Sequence, residues 1–200
     1  MTKLLFIAGS YLLGAFPTGY LLFKLSERQD IRGFGSGATG AANVLRLKGW
    51  RLALPVALVD LAKGAAPALV AQGVFRDAGF SALCASAAVL GHCYPVYIGF
   101  KGGKGVATAA GAMFALAWFP ALLCLGVFVA AVAATRWVSL GSILAAVLFP
   151  GFAALLGAPR PLVLLSLPLV SIILVRHAGN LGRLLRGTER KFGRAAKTEP

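Results

Sequence analysis

Acidic residues are scarce in this chain of 200 residues: six Asp and Glu stand against 20 Lys and Arg, giving a formal net charge of +14. Charged residues of both signs make up only 13%, about half the ~25% of a soluble domain, which argues against a water-soluble globule. Histidine occurs twice and cysteine three times. Cys84, Cys93 and Cys124 lie in or beside apolar segments without metal-ligand spacing, so they read as small apolar fillers. No HExxH or CxxC pattern is present, and no Gly-x-Ser-x-Gly falls in a strand-turn-helix context. Neither a metal nor another cofactor is therefore expected. A small-residue cleavage site is also missing after the first apolar run, so residues 4–23 read as a membrane helix and not as a signal peptide.

What the chain does contain is apolar sequence. Hydrophobic residues make up 58%, and the mean hydropathy is +0.82. A helix crosses a bilayer with about 20 mostly apolar residues. On that measure the chain reads as an all-α integral membrane protein, one domain over 1–200, with seven transmembrane helices and a basic tail from about 176. The expected spans are 4–23, 52–73, 80–98, 106–117, 120–134, 140–157 and 162–175. The fourth is short: the apolar run 106–134 is too long for one span, and Trp118-Phe119-Pro120 divides it. Residues 24–51 read as a polar, basic loop. Sixteen of the 20 Lys and Arg, including Arg194 and Lys197 of the tail, then fall on one side. Lys3, Arg76 and Arg160 fall on the other, and Lys63 lies within the membrane. The basic side is taken as cytoplasmic, with the N-terminus outside and the C-terminus inside. In such a chain the positive charge meets anionic lipid or anionic substrate and does not imply nucleic acid.

The polar motifs collect on that same face. Phe100 to Thr108 holds Lys101, Gly102, Gly103, Lys104 and Gly105 just before an alanine-rich helix start. Glycines let backbone N–H groups turn toward one point, and lysines and a helix N-terminus add positive potential, which suits phosphate. The plain alternative is a loop with ordinary topological lysines. The motif is not a Walker A sequence, because Ile98 and Gly105 occupy the positions that need Gly and Ser or Thr. Residues 35–46 form a second glycine-rich element with Gly35, Gly37 and Gly40. There Ser36, Thr39 and Asn43 offer neutral hydrogen bonds and Arg46 a bidentate fork; the alternative is a flexible loop. Asp60 and Lys63, three residues apart inside a span, can pair on one helix face, as a structural ion pair or as part of a site. His92 precedes the glycine-lysine loop and reads first as structural. His177 and Asn180 converge on one ligand if their helix continues. Arg183, Glu189 and Arg190 follow, in a run that can also bind lipid headgroups.

Taken together, these motifs resemble the bacterial acyl-phosphate:glycerol-3-phosphate acyltransferases, the PlsY family. The matching elements are 35–46, Asp60-x-x-Lys63-Gly64, Gly91-His92-x-x-Pro95, 100–108, and His177-x-x-Asn180 with Gly187-x-Glu189, in family order along nearly the whole chain. The resemblance implies transfer of an acyl group from acyl phosphate to the 1-hydroxyl of sn-glycerol 3-phosphate. The products are lysophosphatidic acid and phosphate, made at the cytoplasmic face of the bacterial inner membrane as a first step of phospholipid synthesis. It implies that substrate phosphate assists proton removal, and that the enzyme producing acyl phosphate is a partner. By matching positions, Ser36, Arg46, Lys104, His177 and Asn180 are the expected catalytic residues. Asn43, Ser142 and the loop residues, Thr39 and Lys101 among them, are the expected substrate contacts. Two departures stand out: the family usually has Asn and Thr where this chain has Ala38 and Ala42. A small transporter or scramblase for an anionic solute is the rival reading, since broken helices with glycine-rich ends suit it too. An inverted repeat would favour transport, and none is visible.

Overall fold

A computed structural model describes residues 1–193; Arg194, Lys197 and Glu199 lie outside the described residues. The described chain is helical, without strands. Its helices are α1 (Thr2–Ala15), α2 (Thr18–Glu27), α3 (Ala41–Lys48), α4 (Trp50–Phe75) and α5 (Ala78–Cys93). After the glycine-lysine loop come α6 (Val106–Leu116), α7 (Trp118–Thr135), α8 (Val138–Leu155), α9 (Arg160–Arg176) and α10 (Ala178–Leu185). Among the described residues, five segments are long and apolar enough to cross a membrane: α1 with α2, α4, α5 with the turn to Ile98, α7 and α8. The pair α9 and α10, bent by 62° at His177, makes a sixth if counted as one span. The 11 residues of α6 extend only about 16 Å, roughly half a hydrocarbon core. Outward faces carry exposed Leu122, Val129, Leu144 and Val147, a surface that suits lipid and not water.

The helix breaks have local causes. The first span is not continuous: α1 stops at Ala15 and α2 starts at Thr18. Pro17 pushes the residue before it out of the helical region, and Phe16 takes ψ 116. The Phe16 carbonyl released by that break accepts a hydrogen bond from Lys63 Nζ at 2.8 Å. Residues 24–51 are likewise not one loop: α2 runs to Glu27, and 41–48 form α3. The long run 106–134 divides next to the expected Trp118-Phe119-Pro120, at the non-helical residue Ala117. Pro120 then sits in the first turn of α7, where its missing N–H costs nothing.

The helices α4, α5 and α6 form the centre, with α1 on α5, α7 beside α8, and α9 against α5 and α8. Close approach of α4 and α6 depends on two glycines. A Cβ on Gly64 would collide with the Thr108 carbonyl, and one on Gly111 with the Leu61 carbonyl. Small residues at such a crossing let two backbones touch, the usual means of packing helices where lipid gives no hydrophobic drive.

Candidate active site

The glycine-lysine loop is folded by the helices on either side of it. Gly102 N donates to Cys93 O at 3.3 Å and Gly103 N to His92 O at 3.1 Å. Both N–H groups thus satisfy the carbonyls at the end of α5. This corrects the expectation that Gly102 and Gly103 aim their N–H groups at an anion. Their carbonyls are occupied too: Arg176 donates from Nη2 to Gly102 O at 2.9 Å and from Nε to Gly103 O at 3.0 Å. The guanidinium also lies 5.2 Å from the Tyr94 ring centroid. The free donors come one step later. Gly105 caps α6 at φ +79, and a Cβ there would press on Cys93 and Val89. The N–H groups of Val106 and Ala107 in the first turn of α6 have no protein acceptor among the described residues. That helix start presents unpaired donors of the kind that cradle an anion.

This helix start opens into a cavity of about 340 Å³. Its polar end is bordered by Ser36, Arg46, Lys104, His177 and Asn180, the five expected catalytic residues, together with Gly40, Asn43, Gly105 and Ser142. Gly35, Gly37, Thr39, Lys101, Gly102 and Gly103, also expected there, do not border it. Lys101 is exposed on the outside of the loop. Thr39 is buried beside a smaller cavity near Thr18, Asp60 and Lys63. Asn43 braces its own loop: its Oδ1 accepts from Ser36 N at 2.9 Å, and its Nδ2 donates to Phe34 O at 3.1 Å and Ala38 O at 2.9 Å. Ala38 and Ala42 both border the cavity.

The helix carrying His177 does not continue to Asn180, as convergence seemed to require. The bend at His177 brings the two side chains into one cavity instead. His177 Nδ1 lies 2.8 Å from Ile173 O. A carbonyl only accepts, so Nδ1 carries a proton, and in the neutral ring Nε2 is then an acceptor. Lys104 Nζ donates to Asn180 Oδ1, and Asn180 Nδ2 donates to Glu189 Oε1 at 2.7 Å. Glu189 also accepts from Ser139 Oγ at 3.0 Å and Arg183 Nε at 2.9 Å. Burial lowers the Lys104 ammonium to about 8; Glu189 opposes this, while Arg183, Arg46 and Arg176 add to it. Burial also lowers Arg46, with Arg190 adding, though a guanidinium stays charged regardless. Burial alone would raise Glu189, yet hydrogen bonds from Asn180, Arg183 and Ser139 leave it below the usual carboxylate range.

Arg183, Glu189 and Arg190 belong to the basic run after Asn180, for which lipid headgroups are one expected partner. All three border the cavity, because residues after α10 fold back: Arg190 Nη1 donates to Gly35 O, and Phe192 N donates to Arg136 O at 2.7 Å. The available signal was the scarcity of acid, since a lone Glu in a basic run needs a partner. Beyond the polar end the wall turns apolar, with Ala109, Met113 and Phe114 of α6, Phe128 of α7 and Ala145 of α8. One cavity therefore holds a cationic, donor-rich end and an apolar length between helices. These features define a membrane-embedded helical protein whose cavity is cationic on one part of its wall and apolar on the rest.

Comparison with known proteins narrows the class. A family described as "Glycerol-3-phosphate acyltransferase" matches residues 4–187. A protein of that name from Synechococcus sp. (strain CC9605) is 45% identical over 98% of this chain and 97% of its own length. One from Geobacter sulfurreducens is 42% identical over 96% and 98%. A crystal structure of PlsY, an integral membrane glycerol 3-phosphate acyltransferase in its glycerol 3-phosphate form, superposes with TM-score 0.92 at 39% identity, covering 96% of each chain. The lysophosphatidic acid form of PlsY gives 0.89 at 38% identity. The chain belongs to the glycerol-3-phosphate acyltransferase family; it is a multi-pass membrane acyltransferase of phospholipid synthesis.

Proposed function

We propose that the chain transfers an acyl group from acyl phosphate to the 1-hydroxyl of sn-glycerol 3-phosphate, giving lysophosphatidic acid and inorganic phosphate. The observation that carries this reading is the single cavity with a cationic end and an apolar length. Both substrates bear phosphate, and one also bears an alkyl chain. The related PlsY structures are a glycerol 3-phosphate form and a lysophosphatidic acid form. In the step proposed, the hydroxyl oxygen bonds to the acyl carbon and the carbon–oxygen bond to phosphate breaks. The leaving phosphate takes the hydroxyl proton. Arg46, Lys104 and the α6 N-terminus offset the phosphate charge and that of the tetrahedral intermediate, while Ser36, Asn180 and the acceptor Nε2 of His177 orient the reactants. Acyl phosphate is an activated donor, so positioning and charge supply much of what is needed.

The same reading gives the polar end a cytoplasmic address in a bacterial inner membrane, with seven crossings, α6 the short one, and the N-terminus outside. The asymmetry of Lys and Arg supports it. An acyl-phosphate-producing enzyme is the implied supplier. Donor choice tests the proposal. Purified protein with labelled glycerol 3-phosphate should form labelled lipid with palmitoyl phosphate and none with palmitoyl-CoA. Labelled lipid from the thioester alone would refute it.

A further inference from the structure

Two glycine-rich loops meet on one imidazole. His92, the penultimate residue of α5, is 7% exposed. On one edge of the ring, Lys63 Nζ lies 3.4 Å from Nδ1 and Asp60 Oδ1 lies 3.7 Å from it. Lys63 is held there by Asp60 at 2.7 Å and by the Phe16 carbonyl at 2.8 Å. The Asp60 contact is an ion pair, not aligned as a hydrogen bond. On the other edge, a Cβ added to Gly103 would run into Nε2, and one added to Gly40 would lie 3.9 Å from it. Gly40 caps α3 and Gly103 belongs to the glycine-lysine loop. His92 Nε2 therefore sits in the seam between the loops, and His92 borders the large cavity.

An ammonium only donates. With a Lys63 N–H directed at it, Nδ1 is the acceptor, and Asp60 Oδ1 at 3.7 Å is too far to take a proton from it. A neutral imidazole then carries its hydrogen on Nε2. We propose that His92 is a further anion-binding residue of this site, its Nε2–H donating to a phosphate oxygen at the seam of the two loops. In this arrangement Lys63, anchored by Asp60 and Phe16, acts as a positioning residue that fixes the donor tautomer. The two histidines are then opposite in tautomer: His177 bears its proton on Nδ1 and accepts at Nε2, whereas His92 donates there. The buried ion pair is assigned a role beyond packing, which also explains why a lysine sits inside a span. The inference rests on the reading that the cavity takes phosphate, and its test is separable from turnover.

With only two histidines in the chain, ¹⁵N-histidine spectra of the protein in lipid nanodiscs are simple to assign, using His92→Gln. His92 should show a protonated Nε2 and a bare Nδ1, and inorganic phosphate should shift the Nε2 signal saturably. Lys63→Met should abolish the tautomer preference. In turnover, His92→Leu should raise KM for glycerol 3-phosphate about tenfold, the loss of one charge-assisted hydrogen bond. His92→Gln, which keeps an amide donor near the Nε2 position, should recover most of that. An Nδ1–H tautomer, phosphate that moves His177 signals but not those of His92, or equal impairment of the Gln and Leu variants would overturn the assignment. If phosphate shifts Nε2–H but palmitoyl phosphate gives no turnover, the acyl-transfer reading fails and the donor assignment stands. If the Leu variant does not fold, the wild-type spectra still decide.

Discussion

Lys104 joins the start of α6 to the C-terminal turn through Asn180 and Glu189. Its ammonium is lowered by burial to about 8, so it loses charge within an accessible pH range. A lysine is charged below its pKa, so phosphate binding should weaken as pH rises through about 8. The pH profile of phosphate release should show that descending limb, and Lys104→Arg, where active, should remove it. Lys104→Ala should reduce turnover to background. Glu189 accepts from Asn180, Ser139 and Arg183 at once. Glu189→Ala leaves buried donors unpaired and should lower stability by about 1–3 kcal/mol, read as a lower thermal midpoint. Ala38 and Ala42 border the cavity, at positions where the family resemblance leads one to expect Asn and Thr. Restoring both should raise kcat/KM for glycerol 3-phosphate about three- to tenfold, the worth of one or two net hydrogen bonds; unchanged kinetics would mean these positions do not face substrate. Arg46, Lys104, His177 and Asn180, expected from the family resemblance, all border the cavity. The N–H groups of Gly102 and Gly103 and the amide of Asn43 hold their own loops, which sequence does not reveal, because a residue that holds a loop and one that holds a ligand use the same side chains and N–H groups. Only partners such as Cys93 O and Ser36 N tell them apart.

Element boundaries were legible where breakers are strong. The division near Ala117 and the turn before α9 follow from Trp118-Phe119-Pro120 and from Pro159 and Pro161. The break at Phe16 was less visible, because it lies inside a run apolar enough to read as continuous, and the bend at His177 because it falls where the seventh span meets the basic tail. The α4–α6 crossing was not legible at all, since glycines in membrane helices are common and only the partner backbone shows which ones matter. Gly64→Ala should cost about 1–3 kcal/mol by overpacking against the Thr108 carbonyl. Gly126→Ala, where a Cβ meets nothing within 4 Å, should be neutral or should stabilise α7 by up to about 1 kcal/mol. Thermal melts of the two variants in detergent should therefore move in different directions; equal losses would mean the crossing is not tight.

Across the whole molecule, the fold concentrates its scarce polar chemistry at one end of a helical bundle and leaves an apolar space beneath it. Three separate stretches, 36–46, 104–107 and 177–190, reach that end only because α4, α5 and α6 pack at the centre while the chain after α10 turns back. In the proposed function, this cavity couples an anionic head to an acyl chain for one reaction. The most direct measurement mixes purified protein with palmitoyl phosphate and glycerol 3-phosphate and follows phosphate and lysophosphatidic acid together. One phosphate should be released for each lysophosphatidic acid formed, and Lys104→Ala should give neither product. Absence of both products above background with folded wild-type protein, or phosphate released without acylated product, would contradict that function.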